Sequence, residues 1–130
     1  MGYTLTTTVQ RPYDETVEAV REALGEQGFG VLTEIDVAET LRKKIGVDFR
    51  PYRILGACNP GFAHQALLEE DKIGTMLPCN VIVQALGEDR TEIAAVDPVA
   101  SMHAVGNPRL GKIAGEVRAR LRNVIDGLAD

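Results

Sequence analysis

Residues 80–96, NVIVQALGEDRTEIAAV, hold two apolar runs separated by a short polar turn. Residues 80–86 are almost continuously apolar, whereas in 91–96 Ile93 and Ala95 alternate with their neighbours. Gly87-Glu-Asp-Arg90 between them has the composition of a hairpin turn. A hairpin near the middle of a chain that also carries helical periodicity places the protein in the α+β class.

Reading outward, residues 91–96 run into Asp97-Pro98 and then Asn107-Pro108, where a cap is expected. Beyond it, Leu110, Ile113, Ala114, Val117, Leu121, Val124, Ile125 and Leu128 follow a 3.6-residue period and predict a long amphipathic helix. Towards the N-terminus, Tyr52-Arg-Ile-Leu-Gly-Ala-Cys58 predicts a strand. Asn59-Pro60 then supplies N-cap and N1 for a helix to about residue 70, with Phe62, Ala63, Ala66 and Leu67 inward.

Asp36 and Glu39 form a capping box for a short helix carrying Leu41 and Ile45 and ending at Gly46. Phe29, Val31, Thr33 and Ile35 predict a strand before it. A helix buries Val17, Val20 and Leu24 and stops near Gly28, and the first strand alternates through Tyr3, Leu5, Thr7 and Val9. The expected architecture is one α+β domain over residues 1–130, a mostly antiparallel sheet with helices packed on one face.

Composition narrows the function. With 45% hydrophobic and 25% charged residues in 130, the chain is an ordinary globular one. Its net charge of −5 lacks the concentrated basic patch that nucleic acid requires. Arg118-Ala-Arg120-Leu-Arg122, the densest basic run, spreads around a helix. No window is long and apolar enough for a membrane span or signal core, so a cytoplasmic protein with reduced thiols is expected.

Cys58 and Cys79 are the residues with chemical potential. Cys58 precedes the predicted Asn59 N-cap, where the helix dipole and unpaired N–H groups favour an anion. A thiolate there would be a nucleophile, with His64 one turn on as its proton acceptor. Cysteine is also among the most buried residue types, so Cys58 suits core packing as readily as chemistry, and Cys79, next to Pro78 at the edge of a buried strand, reads first as core filler. Parallel pairing of their strands would put the cysteines a strand length apart, roughly 17–20 Å. Antiparallel pairing would bring both to one end.

Candidate metal ligands are Cys58, His64, Cys79, Met102 and His103, but no pair has a recognised ligand spacing such as C-x-x-C or H-E-x-x-H. Asp97, on the strand face shared with Ile93 and Ala95, is either a buried general base or a turn cap. Neither a phosphate loop nor a nucleotide fingerprint is evident, and no cofactor is indicated.

The blocks Tyr52-Arg-Ile-Leu-Gly-Ala-Cys-Asn-Pro60, Ala63-His-Gln-Ala-Leu67, Ile73-Gly74 and Leu77-Pro-Cys-Asn-Val-Ile-Val83 resemble the domain of unknown function 302 family. That resemblance implies a fold similar to the TATA-box-binding-protein-like kind and a homodimer, and implies no reaction. One branch of the family carries a GNP block in place of CNP, which makes Asn59 and Pro60 structural and Cys58 branch-specific. The family's association with sulfur-handling contexts adds weak support for thiol chemistry.

Three functions follow as expectations. The first is a small-molecule- or metal-binding module whose pocket involves Cys58, Asn59, His64, Cys79 and Asn80. The second is a thiol-dependent redox or persulfide-handling protein using Cys58, with Cys79 resolving. The third is a non-catalytic homodimer that associates through its C-terminal helix or an exposed sheet face.

Overall fold

The computed structural model describes residues 2–130. In chain order the elements are β1 (Thr4–Val9), α1 (Tyr13–Glu26), β2 (Gly30–Asp36), α2 (Val37–Ile45), β3 (Tyr52–Cys58) and α3 (Pro60–Glu69). A 3-10 turn (Asp71–Met76) then leads to β4 (Cys79–Gly87), β5 (Arg90–Val96), α4 (Pro98–His103) and α5 (Leu110–Leu128).

The hairpin expected over 80–96 forms as β4–β5, with Ile82 opposite Ala94 and Val83 opposite Ile93. It lies within a five-stranded sheet of order β1-β5-β4-β3-β2, every pairing antiparallel. Because side chains alternate along a strand, one sheet face collects Leu5, Val9, Leu55, Ala57, Val81, Val83, Ile93 and Ala95, all buried. Val17, Val20 and Leu24 of α1 and the apolar stripe of α5 join them in one core. Each buried Val, Leu or Ile among them contributes about 1.5–3 kcal/mol of burial free energy. No helix among the described residues is long and apolar enough to cross a membrane.

Four local expectations change. In β2 the register shifts between Val31 and Thr33, which breaks the predicted alternation. Phe29 just ahead of the strand is buried, whereas Ile35 is 48% exposed. In α3, Ala66 takes the inward position and Leu67 is left 43% exposed. The long helix begins at Leu110, because Asn107 Oδ1 accepts from Arg109 N–H and forms a turn ahead of it. Finally, Asp97-Pro98 starts the short helix α4, which the sequence reading left as part of the connection.

Candidate functional site

The antiparallel pairing of β3 with β4 sets the site. Ala57 stands opposite Cys79 and Gly56 opposite Asn80, so both cysteines reach the same end of the sheet. Close approach at Gly56 secures this end. A Cβ there would fall 2.1 Å from Thr33 Oγ1 and 2.7 Å from Pro78 Cγ, so the residue before Cys79 packs where only glycine leaves room.

Directly after Cys58, Asn59 caps α3 as predicted. Its Oδ1 accepts from Phe62 N–H at 3.1 Å, and Pro60 occupies the first turn, where its missing N–H costs nothing. The cap fixes where the strand ends and the helix leaves, and so holds Cys58 at the junction.

Cys58 and Cys79 line one small apolar chamber of about 30 Å³, with Met102 from α4, Phe29, Phe62 and Ile113 among its walls. Both cysteines are free thiols. Cys58 is half-buried, whereas Cys79 is 8% exposed. Burial pushes the Cys79 thiol up to about 11, and the neighbouring Cys58 adds to the shift. Near neutral pH Cys79 is therefore a protonated thiol unless a ligand displaces the proton.

Arg120 of α5 stands beside this chamber. Its guanidinium lies 5.2 Å from the centre of the Phe62 ring, and its Nη1 donates to Gln27 carbonyl oxygen at 3.0 Å. Gly28, with φ of +83°, lies under both Arg120 and Asn59. A Cβ at Gly28 would sit 3.0 Å from Asn59 Nδ2 and 3.3 Å from Arg120 Nη1. Arg120 was not among the residues the sequence singled out, because within Arg118-Ala-Arg120-Leu-Arg122 it is one of three charges spread around the helix. Its spacing from Ile113 and Val117, which both line the chamber, places Arg120 on the same helical face and was the available signal.

The remaining candidates separate. His64 is exposed on α3 and absent from the chamber wall. Asn80 is exposed, one position out of phase with the inward Cys79 and Val81. His103 is exposed and lines a different cavity, of about 320 Å³, between α4 and α5. Met102 is common to both cavities. No group of three or more His, Cys, Asp or Glu side chains among the described residues is placed to hold a metal ion.

Asp97 acts as a cap. Its Oδ1 accepts from Val99 N–H at 3.0 Å and its Oδ2 from Arg118 Nε at 3.0 Å. Burial pushes this carboxyl up, but the hydrogen bonds from Arg118 and the Val99 and Ala100 N–H groups outweigh it and hold the carboxyl below its ordinary value. It ties α4, and with it Met102, to α5.

This architecture is similar to the crystal structure of an uncharacterized conserved protein DUF302 from Bacillus stearothermophilus. The TM-score is 0.90 and the identity 33%, over 98% of this chain and 99% of that one. None of the curated proteins matches the chain. The model of the family described as "Domain of unknown function DUF302" matches residues 5–128, and the chain belongs to that family.

Proposed function

We propose that the protein is a binding module that takes a small ligand or a soft metal ion in the chamber between Cys58 and Cys79. The observation that carries this reading is the convergence of both cysteines, from different strands, on one apolar cavity. Apolar walls with a few convergent groups are features of ligand sites, and a volume of about 30 Å³ limits the occupant to an ion or a molecule of very few atoms. The protonated, buried thiol of Cys79 makes a poor resolving nucleophile, which ranks binding above disulfide cycling. His64 and Asn80 are left out of the site, and Arg120 stands beside it.

Argon under pressure, followed by methyl and amide chemical shifts, tests access to the chamber. Saturable shifts centred on Phe29, Ala57 and Ile113, and their loss in Ala63→Leu, are expected. Absence of any saturable shift in the wild-type protein would overturn the reading.

The uncovered sheet face favours a second reading, a homodimer. Across it runs the row Thr6, Ala94, Ile82, Ile54 and Ile35, placed side by side by the strand register. Such depletion of charge is characteristic of an interface centre, and it lets two chains of net charge −5 approach. The occupant is a second copy meeting the same row. Light scattering should give a dimer at micromolar concentration that Ile82→Glu converts to monomer; a monomeric wild type contradicts it.

A further inference from the structure

We infer that Cys58, Cys79 and Met102 form a three-sulfur site for one soft monovalent metal ion of the copper(I) class; this rests on the chamber reading above. Three separate elements deliver the ligands. Cys58 ends β3, Cys79 opens β4 and Met102 comes from α4, and all three line the same chamber. Nothing else on its wall is a metal-binding imidazole or carboxylate, because His64 and His103 lie elsewhere.

The donor set selects the ion. Thiolate and thioether sulfurs are soft and favour copper(I), whereas magnesium and calcium take oxygen ligands. Structural zinc calls for four strong nitrogen, sulfur or oxygen ligands, and the chamber offers two thiols. A cavity of about 30 Å³ has room for very little water, so an ion held by all three sulfurs gives up most of its hydration shell.

Binding is written without oxidant or reductant. One monovalent ion displaces the proton of each thiol, forms two metal–thiolate bonds and one metal–thioether bond, and releases two protons to solvent. The product carries one net negative charge. The Arg120 guanidinium beside Phe62 and Asn59 offsets part of it. Because thiols bind the ion as thiolates, occupancy falls as the medium becomes acidic.

The test titrates copper(I) into the reduced protein, under anaerobic conditions, in competition with a chromophoric copper(I) chelator. One ion per chain and release of two protons are expected. Met102→Leu keeps volume and fold, and should weaken binding at least about tenfold, the lower end of the loss seen when a supporting partner of a metal ligand is removed. Cys79→Ala should end competition, with folding of both variants checked by melting. Failure of the wild type to compete, or equal affinity in Met102→Leu, overturns the inference. Argon binding without copper(I) binding would overturn this inference alone; absence of both would overturn the chamber reading as well.

Discussion

Cys58 closes β3 and Cys79 opens β4, and the antiparallel pairing of Ala57 with Cys79 seats the two thiols at one end of the sheet. They share a cavity but not an environment. Cys58 is half-buried at a strand–helix junction, whereas Cys79 is enclosed between the sheet and the helices.

Burial of Cys79 makes stability depend on alkaline pH. Its folded pKa, about 11, lies above the ordinary value of 9.0. Below pH 9 the thiol is neutral in both states and has no effect. As pH rises from there through the folded value, ionisation favours the unfolded chain, on the order of 2–3 kcal/mol in all. Urea unfolding across this range should show a decline that Cys79→Ala reduces.

Asp97 gives the opposite dependence at acid pH. Its folded pKa is lowered from 3.8, so its contribution is present above that value and lost as pH falls through the folded one. Asp97→Asn keeps a capping oxygen but loses the charge paired with Arg118, and should cost about 0.5–1 kcal/mol at neutral pH and flatten the acid limb of stability. Thermal melts from neutral to acid pH measure both.

Gly56→Ala should destabilise by about 1–3 kcal/mol, the usual consequence of overpacking. The added methyl meets the Thr33 hydroxyl and the Pro78 ring, of which only the first can move aside. The double variant with Thr33→Ala should recover part of the loss in denaturant titrations.

Asn59→Ala removes the α3 cap and should cost about 1 kcal/mol. Since the cap fixes the junction that presents Cys58, alkylation of Cys58 in the folded protein should accelerate. An unchanged rate with lowered stability would confine Asn59 to the helix.

Much of this was legible in the sequence, for identifiable reasons. The β4–β5 hairpin, the α3 cap at Asn59-Pro60 and the stripe on α5 are local patterns, each set within one element. The site depended on strand direction, which local pattern leaves open: only antiparallel pairing brings the cysteines together. β2 was misread because one irregularity reverses the faces after it. Met102 was a candidate from the sequence, but α4, which carries it to the wall it shares with both cysteines, is too short to show periodicity. Arg120 needed the helix face to be projected onto a cavity that no single element defines.

Site-resolved alkylation of the native, reduced protein tests the central claim most directly, because it reports each thiol's surroundings separately. The account predicts that Cys58 is labelled in the folded state while Cys79 is labelled only on unfolding, and that copper(I) protects Cys58. Labelling of both thiols at equal rates in the folded protein would contradict the burial of Cys79 on which the proposed binding rests.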